Sequence, residues 1–182
     1  MYYHYGGGAG VILCLYVDDI QIFGTNIDVI NDVKFFLSTS FDRKDLGETD
    51  VILNIKLVKC ENGITFSQSH YVEKILSHFG YVDSKPFSTP YDPRVILRKN
   101  KKITKDQLRH FQIIGSLIYL ASATRPNISF AMSKLSRFMS NPSTDYYWHA
   151  LERIMRYLGG TMSYGIHYSR HPSILEGYCD SN

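Results

Sequence analysis

The sequence predicts an α+β chain, with antiparallel hairpins and helices in residues 11–80 and a helical bundle in residues 105–160. Three observations carry that reading. Two apolar runs of strand length, Val11-Ile12-Leu13-Cys14-Leu15 and Ile20-Gln21-Ile22-Phe23, flank a polar break at Asp18-Asp19. Residues 50–59 alternate, and Asn62-Gly63 follows as a hairpin turn. Beyond residue 104 the apolar residues return at helical spacing and the alternation stops.

Each element has a local warrant. Thr25 or Asn26 can cap a helix whose stripe is Ile27, Ile30, Val33 and Leu37, with Asp28 at its favourable amino-terminal end. Val51, Leu53, Ile55 and Leu57 give one face of a single strand before Ile64-Thr65-Phe66 returns. Ser69 can cap the next helix, which turns Val72, Ile75, Leu76 and Phe79 to one side and stops at Gly80. Residues 81–104 hold three prolines and read as an irregular connection between subdomains. Thr104-x-x-Gln107 is a capping box for a largely buried helix of Leu108, Phe111, Gly115, Leu117, Ile118 and Ala121, with Gly115 expected to permit close helix packing. Pro126 suits the first turn of another helix, with Ile128, Ala131, Leu135, Phe138 and Met139 inward and a break at Asn141-Pro142. A last helix carries Trp148, Leu151, Met155 and Leu158 and stops at Gly159-Gly160.

Composition narrows the class of protein. The chain has 182 residues, 44% hydrophobic and 20% charged, which suits one or two small globular domains. No stretch is long and apolar enough for a membrane-spanning helix, so no membrane partner is expected. Cys14, Cys60 and Cys179 lie far apart with no Cys-x-x-Cys pair, which argues against a disulfide framework or zinc site and for a reducing compartment, cytoplasm or nucleus. The net charge of +3 is uneven. Residues 101–160 hold nine basic and three acidic residues, a surplus of +6 that leaves −3 for the rest. Such a basic span suits either a solvated helical face or a grip on nucleic-acid phosphate.

Tyr16-Val17-Asp18-Asp19 also admits two readings. Aspartate favours turns, and one would suffice for an ordinary tip. Two adjacent ionised carboxylates repel each other, and a divalent cation with a taste for hard oxygen ligands, such as Mg²⁺, relieves that repulsion.

Leu15-Tyr16-Val17-Asp18-Asp19-Ile20 resembles the palm signature of reverse transcriptases, and the chain downstream resembles the copia-type retrotransposon branch. The matching blocks, in order, are Lys44-Asp45-Leu46-Gly47-Glu48, Lys85-Pro86-Phe87-Ser88-Thr89-Pro90, Gly115-Ser116-Leu117-Ile118-Tyr119-Leu120, Thr124-Arg125-Pro126-Asn127-Ile128-Ser129, Lys134-Leu135-Ser136-Arg137-Phe138-Met139 and Arg156-Tyr157-Leu158-Gly159-Gly160-Thr161. They run from about Val11 onward, leaving residues 1–10 as an unmatched Gly/Tyr-rich leader. The resemblance implies a partial palm over residues 11–80, a linker over 81–104, a helical thumb and connection over 105–160, and the truncated start of an RNase H-like domain over 161–182.

It also implies an activity and its residues. The activity is RNA-directed DNA polymerisation, in which two Mg²⁺ ions activate the primer 3′-hydroxyl and stabilise charge on the transferring phosphate. Asp18 and Asp19 match the catalytic, metal-binding pair, and Tyr16 and Val17 would lie under the primer end. Leu53, Asn54 and Ile55 match the hairpin that positions the primer terminus, where the family usually has a glycine in place of Asn54. Lys134, Arg137, Arg153 and Arg156, paired three apart on two helices, are the candidate grip on a primer–template duplex. Gly177-Tyr178-Cys179-Asp180 resembles the first strand of RNase H, with Asp180 as its first metal carboxylate.

The family's palm also carries an Asp on a strand ahead of this hairpin, whereas residues 1–10 contain no carboxylate. Their glycines form no phosphate loop, because no strand is expected before them and no Gly-Lys-Ser/Thr follows. The expected partners are therefore nucleic acid together with the upstream palm and fingers and the downstream RNase H of a polyprotein. Three readings follow: a reverse-transcriptase fragment inactive alone, a non-catalytic nucleic-acid-binding remnant, and another palm-type nucleotidyl enzyme. Flanking sequence that supplies the missing Asp would separate the first two. A nucleotide pocket beside the aspartates would favour the third.

Overall fold

The computed structural model describes residues 2–6, 8–97, 107–139 and 144–169. Their contacts divide the chain into two units, Met1–Glu48 and Thr49–Asn182. The division falls well before the proline-bearing stretch 81–104 that the sequence suggested.

In the first unit, β1 (Tyr2–Gly6), β2 (Ala9–Tyr16) and β3 (Asp19–Gly24) form an antiparallel sheet in that order, and α1 spans Ile27–Ser40. The hairpin expected over residues 11–23 is β2–β3, in register from Val11↔Gly24 to Tyr16↔Asp19. The expectation that no strand precedes the glycines is corrected by β1, which pairs Tyr2 with Leu13 and Gly6 with Ala9. Its aromatic residues favour a strand, and Gly8, at φ +83°, takes the left-handed turn that returns the chain.

Asn26, rather than Thr25, caps α1, its Oδ1 accepting from Val29 N at 2.9 Å. Thr25 instead joins β2, its N donating to Gly10 O and its Oγ1 accepting from Gly10 N, both at 3.0 Å. A Cβ at Gly24 would meet Ile30 Cγ1 at 2.6 Å, so α1 covers the sheet face that carries buried Val11. Ile27, expected in the buried stripe, is exposed. Ile12 and Phe23, register partners on the other face, are also exposed.

In the second unit, β4 (Val51–Ile52), β5 (Ile55–Cys60), β6 (Gly63–Ser67) and β7 (Gly165–Ser169) form an antiparallel sheet in that order. The single strand expected over residues 50–59 is broken. Val51 pairs with Lys56 and Ile52 with Ile55, so Leu53-Asn54 is a two-residue hairpin turn. Both turn residues have positive φ, +50° and +59°, the signature of a type I′ turn. Asn tolerates that region, whereas a left-handed Leu costs about 1–2 kcal/mol.

The next turn is Glu61-Asn62 rather than Asn62-Gly63, since Cys60 already pairs with Gly63. Gly63 is needed for a different reason: a Cβ there would collide with the Tyr168 carbonyl oxygen of β7. Residues 165–169, assigned from sequence to a further domain, complete this sheet by pairing with β6.

Among the described residues, four helices enclose the core of this unit: α2 (Ser69–Phe79), α3 (Gln107–Ala123), α4 (Ser129–Ser136) and α5 (Thr144–Gly160). A 3₁₀ turn, Pro126–Ile128, leads into α4. In α2, Val72, Ile75, Leu76 and Phe79 are buried as expected, and left-handed Gly80 donates to Leu76 O and Ser77 O. Ser69 is the first helical residue rather than the cap, its N donating to Ser67 Oγ at 3.3 Å.

The face expected of α3 is corrected. Ile113, Ile114, Leu117 and Leu120 are buried, while Leu108, Phe111 and Ile118 are exposed. Gly115 faces open space, where an added Cβ would find nothing within 4 Å, so it is not a close-packing site. Ile128, Ala131 and Leu135, and Leu151, Met155 and Leu158, are buried as the sequence indicates. Among the described residues no helix is long and apolar enough to cross a membrane. Thr104 and Asn141-Pro142 lie outside the described residues.

Candidate functional site

The tip of the β2–β3 hairpin is a two-residue turn, Val17-Asp18, closed by the Tyr16↔Asp19 pair. Val17 has φ +51°, and Asp18 is not among the left-handed residues, the sign pattern of a type II′ turn. A β-branched residue there is a backbone outlier costing about 1–3 kcal/mol, and such strain clusters at functional sites. Asp18 and Asp19 are exposed, and so are Leu15, Tyr16, Val17 and Ile20 around them. The turn thus sets two adjacent carboxylates in an apolar collar open to solvent.

Leu53, Asn54 and Ile55 sit at the tip of the β4–β5 hairpin in the second unit. The left-handed φ of Asn54 suits its residue type, since after glycine Asn is among the side chains that best accept that region. Tyr119, midway along α3, donates its hydroxyl hydrogen to Leu53 O.

The four basic candidates are placed differently from one another. Lys134 is half-buried, its Nζ 5.3 Å from the Phe130 ring centroid. Arg137 is exposed just after α4. Arg153 and Arg156 share a face of α5, as their spacing predicts, but residues 85–92 lie across that face. Arg153 donates to Thr89 O at 3.0 Å and Thr89 Oγ1 at 2.8 Å, and lies 3.5 Å from Asp92 Oδ2. Arg156 donates to Lys85 O at 2.6 Å and pairs with Glu152 at 3.2 Å. Both guanidiniums lie over Phe87, at 4.6 and 4.1 Å. These two arginines clamp a strap, and an open phosphate-binding face is not what the structure shows there. Asp180 lies outside the described residues.

Asp92 anchors the far end of the strap. Its carboxylate accepts from Arg94 N, Nε and Nη2 at 3.0–3.1 Å, and these bonds hold its pKa down to about 2. A depressed carboxyl pKa stabilises the fold above the ordinary value, about 4, and that contribution goes as pH falls through the folded value. The amide signals of Thr89 and Tyr91 are therefore expected to hold steady down to about pH 4 and to shift as pH falls toward 2. Asp92→Asn should remove that step. An identical acid transition in the variant would contradict the assignment.

The sequence reading gave no role to one residue that the structure buries. Arg125 is 1% exposed, enclosed by Asn127, Thr161, Tyr157 and Tyr164. Its only signal in sequence was its place before Pro126-Asn127.

The profile of the family described as reverse transcriptase (RNA-dependent DNA polymerase) matches residues 1–93. The chain belongs to the reverse transcriptase family. This match begins at residue 1, so the first ten residues, left outside by the sequence blocks, fall within it. The Pol polyprotein from transposon TNT 1-94 of Nicotiana tabacum is 36% identical over 94% of this chain, which covers 14% of that polyprotein. The Pol polyprotein from transposon RE1 of Arabidopsis thaliana is 36% identical over 97% of the chain, covering 12% of the polyprotein. An uncharacterized mitochondrial protein of Arabidopsis thaliana is 33% identical over 93% of the chain, here covering 70% of the relative. These transposon polyproteins are of the copia type, the branch the ordered sequence blocks resemble. No solved structure matches.

A reverse transcriptase implies a divalent metal, and the donor set can be tested for it. Mg²⁺ takes near-octahedral oxygen ligation and usually keeps several waters beside one or two carboxylates and substrate phosphates. Asp18 and Asp19 meet the carboxylate part of that requirement. Among the described residues no group of three His, Cys, Asp or Glu side chains converges, and β1 brings no carboxylate to the sheet. Asp45 is already engaged by Lys34 at 3.0 Å and by Gly47 N at 2.9 Å, and the Gly47 bond holds its pKa down. The residues therefore fit one part of a metal site.

Proposed function

We propose that this chain contributes the metal-holding hairpin and the primer-terminus hairpin of the RNA-directed DNA polymerase of a copia-type Pol polyprotein. The observation that supports this most is the Val17-Asp18 turn. Two exposed aspartates, consecutive in sequence, follow a Val of positive φ at the tip of a hairpin, in a chain of the reverse transcriptase family. The chemistry that a bound Mg²⁺ ion would supply is a lowered pKa for the primer hydroxyl and an offset to charge on the transferring phosphate. Asp18 and Asp19 would hold that ion, and Tyr16 and Val17 offer the primer end an apolar platform. Leu53, Asn54 and Ile55, at the tip of the β4–β5 hairpin, serve as the primer-terminus element. Lys134 on α4 and Arg137 just after it supply phosphate contacts, while Arg153 and Arg156 act through the strap they clamp. Asp180 opens an RNase H-like segment.

With two carboxylates and no third from β1, the 182 residues by themselves hold duplex without extending it, and palm and fingers from the polyprotein complete the activity. The same preparation tests both parts. Binding to a primer–template duplex should be sequence-independent and fall steeply with salt. Arg137→Ala should weaken it and reduce the salt slope by about one. Arg153→Ala should loosen the strap first. Robust extension by the 182-residue chain, abolished in Asp19→Asn, would overturn the incomplete-site reading. Duplex binding that ignores salt would overturn the phosphate grip.

A further inference from the structure

We infer that Tyr119 is a positioning residue that fixes the turn at the tip of the β4–β5 hairpin, and with it the backbone offered to a primer strand. The role in primer contact rests on the function proposed above; the effect on the turn does not. The carbonyl that accepts the Tyr119 hydroxyl belongs to Leu53, so it is the oxygen of the peptide between the two turn residues. Types I′ and II′ differ by a flip of that central peptide. At Leu53 and Asn54 the positive φ of both residues marks type I′, whereas the Val17-Asp18 turn shows the other sign pattern.

Local sequence does not secure this choice. Leu is poorly suited to the left-handed region, and only two residue pairs, Val51↔Lys56 and Ile52↔Ile55, flank the turn. The bond from α3 comes from a helix whose Ile113, Ile114, Leu117 and Leu120 lie fully inside the core. The Tyr119 ring is itself steadied edge-on against Tyr71, at 5.5 Å and 86°. A rigid donor thus reaches a weak hairpin at the atom that decides its conformation.

The consequence is directional. A trans peptide points its N–H opposite its carbonyl, so turning Leu53 O toward α3 turns the Asn54 N–H away from it. Backbone N–H groups are ordinary donors to nucleic-acid phosphate. On the function proposed above, its acceptor would be a phosphate of the primer strand near its 3′ end.

Tyr119→Phe keeps the ring and removes only the donor. Residue-resolved amide exchange of the whole chain should show Ile55, which closes the turn, exchanging about fivefold faster, the effect of one net hydrogen bond. Leu117 and Leu151 should be unchanged. Adding Leu53→Asn, which suits the left-handed region, should restore the protection, a rescue that a general loosening of α3 would not allow. Unchanged exchange at Ile55 in Tyr119→Phe, or no rescue, would overturn the inference. A duplex with a photoreactive thiothymidine at the primer 3′ end should cross-link to residues 53–55 of the wild type and less in Tyr119→Phe. Equal cross-linking despite faster exchange would overturn the positioning role. No cross-link in the wild type, with the exchange effect intact, would refute the primer-contact reading and leave the turn assignment standing.

Discussion

In a Pol polypeptide that extends a primer on RNA, Asp19→Asn is expected to lower extension by about a thousandfold or more, with duplex affinity little changed. The amide preserves the size of the side chain and its place opposite Tyr16, so the hairpin should persist. What would go is the negative charge proposed to hold a divalent cation where charge develops in the transition state. A ligand acting only there lowers turnover and leaves ground-state binding alone. Asp18→Asn, one residue away in the turn, should behave alike. Single-turnover extension with Mg²⁺ measures the effect. A loss below about tenfold would mean that the aspartates merely make a turn.

Arg125→Ala should destabilise the second unit by about 3 kcal/mol, an effect set by lost charged hydrogen bonds and the volume left behind. The guanidinium donates to Thr161 O at 2.9 Å, to Thr161 Oγ1 at 2.5 Å and to Asn127 Oδ1 at 3.2 Å. Thr161 Oγ1 in turn donates to Tyr157 O, and Asn127 Nδ2 to Tyr157 OH. The network ties the joint between α3 and the 3₁₀ turn to the end of α5. Burial lowers the Arg125 pKa, but guanidinium stays protonated across any working pH, solvated here by carbonyl and hydroxyl oxygens and two tyrosine rings. Arg125→Lys should rescue little, since one ammonium cannot reach the oxygens on both sides. Urea unfolding decides it. A loss under about 1 kcal/mol would show that Arg125 is not a keystone.

Where a physical signal is local, the sequence carries it. The β2–β3 hairpin was legible because two apolar runs meet at aspartates, and α2 because its apolar face is narrow and ends at Gly80. The face of α3 was not, because Leu108, Phe111, Ile113, Ile114, Leu117, Ile118 and Leu120 leave hardly a polar side for periodicity to find. The β4–β5 turn was hidden for a related reason. Val51-Ile52-Leu53-Asn54-Ile55 has no Gly to mark a reversal, and a tyrosine 66 residues away in sequence holds the turn. The same distance problem misled the reading of Arg153 and Arg156. Their spacing placed them on one face, but the strap that covers it comes from 64 and 71 residues upstream.

The Val17-Asp18 turn is the proposed seat of the divalent metal. Mn²⁺, a paramagnetic stand-in for Mg²⁺, broadens the amide signals of residues near its site. Titrated into the 182-residue chain, it should broaden Val17 to Ile20 first. Binding should be no tighter than about millimolar, because the chain supplies only part of an octahedral shell. Asp18→Asn should weaken the effect further. Broadening centred on Asp45 or Asp50 instead, or none at Val17 to Ile20, would contradict that placement.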